Sequence, residues 1–451
     1  MNRRAGGPSP SRSRSRLVQR LLADGRGPAT IPREVAILWW SRTAMSGSRA
    51  LAGILVPLYL AVEGFSGLEL GALWMVVGLT SAGISAIVGF GSDRLGRRPF
   101  LVALPLVTAG SAAVFSYSSS TAVLFVAAAA GSFGRGAGAG AGMIGPYQPA
   151  EAAMVSEATP PRLRNAAFGR LGFGSSLGAL LGGLAATAVS AGDRHGAAAA
   201  AAYRPGFLTA GVLAAVAGLL ALWLHEPPRA RTDRAAGRGL SFPRRSLPLL
   251  VRLWVTNGTN GLAVGMFGPF ITYWFFRRYG AGPAEIGLLF AVINAVTAPA
   301  PLLAARLARR WGLIRTLSVA RGVQAVLLVP MVLSPVFPLA GAVYLVRMAV
   351  QRVGLPLRQS YVLAMAHPEE RGSVGALSSL PAQISMTAGP MFSGYLFDEV
   401  SLALPFELAA VLQAVDAALY WTFFHDLHPS EELEQGKSVP DVPVPGESGE
   451  D

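Results

Sequence analysis

Cysteine is missing from the chain altogether. That removes disulfides and thiolate metal sites from consideration. Lysine is nearly missing too. Lys437 stands alone, so the formal charge of +13 comes almost wholly from arginine. Charge of either sign is scarce, at 14% of 451 residues, where soluble domains carry about 25%. So few charges cannot cover a water-facing surface of that size. Histidine is limited to His195, His225, His367, His425 and His428, all near segment ends or in loops. A buried haem or zinc site is therefore not expected, and no cofactor or metal is. Paired acids, or serine and histidine together, at membrane depth would mark an intramembrane hydrolase. The apolar stretches offer neither, so no enzyme is expected.

What is present is apolar sequence. Hydrophobic residues make up 52% and the mean hydropathy is +0.45. They come in runs long enough to cross a bilayer, which takes about 20 residues each. The fold class expected is an all-α polytopic membrane protein of twelve transmembrane helices. Their approximate spans are 35–62, 67–90, 100–118, 121–146, 166–190 and 204–225, then 249–275, 284–308, 316–334, 338–362, 374–396 and 403–424. Small residues recur every fourth place, at Gly134, Gly138 and Gly142 and at Gly178 and Gly182. That spacing lets helix backbones approach closely.

The organisation follows. Residues 1–33 read as a disordered basic arm without the apolar core of a signal peptide. Residues 34–225 form one six-helix bundle, 226–247 an arginine-rich linker, 248–425 a second bundle and 426–451 a polar, acidic tail. Arginines crowd the arm, the loop at 91–99, the loop "PPRLRN", the linker and the loop at 309–315. The opposite loops hold only Arg194, Arg204, Arg277 and Arg278. By the positive-inside rule both termini are cytoplasmic. Arginines flanking apolar segments suit anionic lipid better than nucleic acid, and no nucleic-acid partner is expected.

Between the second and third spans lies "GFGSDRLGRRP", Gly89 to Pro99. A phosphate-binding loop would need a preceding strand and a Lys-Ser or Lys-Thr pair, and this stretch has neither. A weaker copy, "ARRWGLIRT", follows the eighth span, with Gly312 matching Gly96. "TPPRLRNAAFG" after the fourth span echoes "HPEERGSVGAL" after the tenth. Two six-helix repeats are the plan of many secondary transporters.

Gly89, Asp93, Arg94, Gly96, Arg97 and Arg98 reproduce G-x-x-x-D-R-x-G-R-R, which resembles the signature of the major facilitator superfamily. The resemblance covers roughly residues 35–425. It implies two pseudo-symmetric bundles that rock around a midplane site, and a secondary active carrier working by alternating access. It also implies that the cluster latches the halves on the cytoplasmic side when the cavity opens outward. Asp93 would then face the start of the eleventh helix near Ser373. Arg97 would pair with Glu157, or failing that with Glu151. In the second copy Arg309 replaces Asp93 and Ala305 replaces Gly89, so an asymmetric gate is expected.

The family architecture places the first, fourth, seventh and tenth helices around the cavity. Intramembrane polar residues there are costly and tend toward function. The candidates are Arg49, Arg135, Asn257, Asn260, Arg347 and Gln351. Arg42, Arg170, Arg321 and Arg358 read as snorkelling to the cytoplasmic surface. Asp416, with Gln413 one turn before it, is the candidate for proton coupling. Gly389-Pro390 reads as a hinge in the eleventh helix. The fifth helix lacks the Gly-Pro step that marks many antiporters of the family. The expected function is an efflux-type carrier of a small organic solute, monomeric, in the bacterial inner membrane. The alternatives are an importer or exchanger of an organic anion, suggested by the deep arginines, and more remotely a multipass enzyme or receptor.

Overall fold

A computed structural model describes residues 32–134, 145–160, 163–189, 200–226, 245–365, 370, 374 and 377–425. Arg135 and Ser373 lie outside them, and the side chains of Asp93, Arg309 and Arg358 are also outside the description. Among the described residues there is no strand. The helices of the first half are α1 (Arg33–Val62), α2 (Gly67–Leu95), α3 (Arg98–Tyr117), α4 (Thr121–Gly131), α5 (Gln148–Ala158), α6 (Arg164–Thr187) and α7 (Arg204–Ala221). Those of the second half are α8 (Leu247–Phe267), α9 (Ile271–Tyr279), α10 (Pro283–Thr297), α11 (Ala300–Trp311), α12 (Leu313–Leu333), α13 (Phe337–Met365), α14 (Leu380–Glu399) and α15 (Leu404–Phe424).

Five of these, α1, α2, α3, α7 and α12, are long and apolar enough to cross a membrane unaided. Three expected spans are interrupted. The fourth ends its first helix at Gly131, where Ser132 and Gly134 take left-handed backbone angles, φ 48° and 76°. The Gly134 carbonyl, freed from the helix, accepts a bond from Trp74 Nε1 at 2.9 Å. Buried backbone groups at membrane depth need such partners. The seventh span breaks between α8 and α9 around Gly268-Pro269. The eighth breaks between α10 and α11 at Pro299, since proline has no N–H to continue the ladder.

Within the first bundle α1 is enclosed, whereas α2, α3 and α7 each leave one flank exposed to the surroundings. Glycine permits the closest of these contacts. A Cβ at Gly47 of α1 would sit 3.2 Å from the Gly178 carbonyl of α6. In the second bundle α8 seats Gly261 and Gly265 against Ala382 and Met386 of α14. The two copies of the loop motif turn alike. Gly96 has φ 99° and Gly312 φ 79°, angles that side-chain-bearing residues rarely adopt.

Candidate functional site

The bundles meet along two seams, α2 with α14 and α6 with α10. Both seams are tight at the arginine-poor end. A Cβ at Gly71 would lie 3.1 Å from Met391 Cα, one at Gly394 2.9 Å from Leu68 Cα, and one at Gly183 2.9 Å from Ala291 N. Gly389 presses on the Gly265 backbone, at 2.8 Å for its added Cβ, and the Pro390 carbonyl faces Gly71. The expected hinge thus lies in the seam. Aromatic rings fill the space beside it. Trp74 meets Phe270 edge-on at 4.6 Å, and Phe270 lies 4.7 Å from Phe397.

At the arginine-rich end the same helix faces part. Gly89 lies eighteen residues after Gly71, five full turns at 3.6 residues each, so both point the same way. Gly172 lies eleven residues before Gly183, about three turns, again on one face. Neither Gly89 nor Gly172 has any described heavy atom within 4 Å of an added Cβ. Among the described residues the seams are packed at one end and unpacked at the other.

The motif cluster sits at the open end. Arg97 forms an ion pair with Glu157 of α5. Its backbone N–H donates to both carboxylate oxygens of Glu226, at 3.0 and 3.1 Å. Arg98 donates to the Leu222 carbonyl, and Arg94 is exposed. These contacts all lie within the first half. Glu226, at the end of the sixth span, was not singled out from sequence. It is the first acid after that span, placed where it can cap the loop. A Cβ at Gly96 would lie 2.8 Å from Glu226 Oε2, so glycine serves both the turn and the cap.

Deeper in the bundles, two of the arginines read as snorkelling are instead buried in ion pairs. Arg42 Nη2 meets Glu151 Oε2 of α5 at 2.9 Å, with both side chains at most 10% exposed. Arg321 Nη1 meets Asp416 at 2.5 Å and stacks 4.3 Å over the Tyr420 ring. The physical reason is that a desolvated guanidinium needs a carboxylate more than it needs the surface. The partners come from other helices, out of reach of sequence spacing. Arg170 is exposed.

The cavity candidates separate. Arg347 is wholly buried inside the second bundle. It donates to Gln413 Oε1 at 3.1 Å, lies 4.1 Å over Phe267, and leaves Nε and Nη1 without a partner. It does not meet open space in this conformation. Asn257 is buried and donates to the Ser378 carbonyl at 2.9 Å, a link from α8 to the start of the eleventh span. Asn294 in α10 accepts from Arg352 at 3.3 Å. Three groups near the middle of their helices remain uncommitted. Among the described residues Arg49 Nη1 has no hydrogen-bond partner, Asn260 is half-buried without a hydrogen bond, and Gln351 Oε1 has no hydrogen-bond partner.

The model of the "Major Facilitator Superfamily" matches residues 38–256 and again 253–445, once for each half. The chain belongs to the major facilitator superfamily. It is similar to the "Multidrug resistance protein MdtG" of Salmonella dublin, 27% identical over 320 residues, 67% of this chain and 74% of that one. Among solved structures it resembles a bacterial homologue of the human lysosomal transporter Spinster in an inward-facing, unoccupied conformation. The TM-score there is 0.65 and the identity 15%, over 86% of this chain and 96% of that one. It resembles equally the inward-open xylose transporter XylE of E. coli, with TM-score 0.65, identity 14%, and 89% and 98% covered. As a member of this superfamily the chain is a multipass transporter of a small molecule rather than an enzyme. Seams closed at one end and open at the other are one state of an alternating-access cycle.

Proposed function

We propose that this transporter exports small organic compounds across the bacterial inner membrane, with both termini and the arginine-rich end in the cytoplasm. The observation that supports the reading is the parting of Gly89 and Gly172 from every described residue of the opposite bundle while Gly71 and Gly183 stay packed. With the arginines inside, such a state would load solute from the cytoplasm, and the direction rests on the relatives. The relatives named for multidrug resistance support the direction. The cluster of Asp93, Arg94, Arg97 and Arg98 is the cytoplasmic latch, with Arg97 held within the first half by Glu157 and Glu226. Solute meets Arg49, Asn260 and Gln351 near mid-depth.

Export against a gradient needs a coupling ion, and a proton needs a carboxylate. Among the described residues two carboxylates are buried, Glu151 and Asp416, each against an arginine. Glu151 stands on α5 beside α1, whereas Asp416 lies on the twelfth span, away from the seams. Glu151 is the stronger coupling group and Asp416 the second. Arg49, whose buried Nη1 has no described hydrogen-bond partner, favours a further reading, exchange of an organic anion, because a guanidinium pairs best with a carboxylate or phosphate.

The test is a charge-varied solute screen in proteoliposomes with an imposed pH gradient, then with the gradient reversed. Gradient-driven movement of neutral or cationic solutes, abolished in Glu151→Gln while downhill exchange persists, is the expected result. Preference for anions, lost in Arg49→Ala, would establish the exchanger instead. Orientation is checked with single cysteines. His225→Cys should react with impermeant thiol reagents from the cytoplasm and Ser119→Cys from outside.

A further inference from the structure

Asp398 ends the last turn of α14 and touches the other bundle. Its Oδ1 accepts the Gly67 N–H and its Oδ2 the Leu68 N–H, each at 2.8 Å. Those are the first two amides of α2. A helix leaves its first four N–H groups without internal partners and carries partial positive charge there. Ser66 and Glu69 already cap the same helix in its own chain segment, at 2.9–3.1 Å. The Ser66 hydroxyl takes the Glu69 amide, which leaves the amides of Gly67 and Leu68 to Asp398. The carboxylate therefore completes a helix cap across the seam, from a position 331 residues away in the chain.

The place of this contact is what gives it meaning. It lies at the closed end, beside the backbone approaches of Gly67, Gly71, Pro390 and Gly394. It joins the same two helices that the cytoplasmic latch would join, in the reverse sense. At the cytoplasmic end the family resemblance has an aspartate near the end of α2, Asp93, face the start of the eleventh helix. At the outer end an aspartate at the end of α14 faces the start of α2. We infer that Asp398 is a positioning residue of the transport cycle, a second latch that holds the outer end shut and is released each time the cavity opens outward. Arg277, which lies 5.8 Å over the Tyr273 ring beside Phe397, is the cation of the same surface.

Because the bonds exist only in the state closed outside, removing them shifts the equilibrium between states rather than the stability of either bundle. Losing a side-chain helix cap changes an equilibrium by about five- to tenfold. The experiment is double electron–electron resonance on the full chain in lipid nanodiscs, with spin-labelled cysteine pairs at Ser119 and Val336 for the outer end and at His225 and Arg310 for the cytoplasmic end. The chain has no native cysteine to interfere. Asp398→Ala is expected to raise the population with a long outer and short inner distance about fivefold, Asp398→Asn less, and Asp398→Glu to restore much of the closed state. Asp93→Asn is expected to shift the populations the other way, and the double variant to fall between. Should Asp398→Ala insert poorly, Gly67→Ala tests the same contact with the charge retained. Its new Cβ would lie 2.8 Å from Asp398 Oδ1, and the same outward shift is expected. Unchanged distance distributions in both Asp398→Ala and Gly67→Ala, or broadening of both pairs without a shift, would overturn the second latch.

Discussion

The two ends of α2 are built from the same residue types and behave differently. At the arginine-poor end Gly67 and Gly71 are pressed against α14, and an acid from α14 caps the helix start. At the arginine-rich end Gly89 meets no described heavy atom of the other bundle, and the acids that hold the neighbouring loop, Glu157 and Glu226, come from its own bundle. The seam of α6 and α10 repeats the contrast between Gly183 and Gly172. Glycine by itself does not decide which end is packed. It makes both contacts available, and on the second-latch proposal the capping carboxylates decide which one is occupied.

The largest effect should come from blocking either contact with bulk. Gly71→Leu cannot fit against Pro390 and Met391, so it should trap the outer end open. Gly89→Leu is harmless in the present state and should prevent the cytoplasmic end from closing. Each should cut transport by about tenfold or more, in line with overpacking costs of about 1–3 kcal/mol. Thiol labelling at Ser119→Cys and His225→Cys should report opposite trapped states. If both variants trap the same state, the contrast between the ends fails.

The next effect is on stability, not on which end is open. Glu151→Ala strands Arg42, and Asp416→Ala strands Arg321. Stranding a buried charge costs about 3–5 kcal/mol, so thermal unfolding in detergent should shift down in both. Replacing both partners of a pair with leucine should recover most of that loss. A change of state populations without a loss of stability would mean that the pairs belong to the seams.

Smaller still is Glu226→Gln, which weakens the cap on the Arg97 amide by about 1 kcal/mol. A few-fold fall in transport with normal insertion is expected, measured at equal protein abundance. Arg98→Lys, at an exposed site, should change transport little. A large loss there would move the latch from Arg97 to Arg98.

Much of this was legible in the chain. Scarce charge and long apolar runs point to a polytopic helical class, because runs of about 20 apolar residues span lipid as helices, whereas the strands of a membrane barrel are about half that length and alternate polar with apolar. The motif and its weaker copy mark the repeat, and Gly96 marks a tight turn by its spacing alone. The charged partners were harder. Arg42 and Arg321 each sit near a helix end, which sequence reads as surface, yet both turn inward to acids on other helices. Arg347 shares a helical face with Gln351, but that face divides between the interior of the bundle and the middle of the molecule. Periodicity gives a direction around one helix and says nothing of what stands opposite.

By itself, then, the sequence determined the helices, their repeat, the turn at Gly96 and the arginine-rich end, since these follow from local composition and from spacing along one chain. The tertiary structure alone decided that Arg42 takes Glu151, that Arg321 takes Asp416, that Asp398 caps α2, and that Gly71 is packed while Gly89 meets no described residue of the other bundle. Each of those depends on which helix lies opposite and how far away. That is set by the packing of two bundles with more than one stable arrangement, and no single segment carries it.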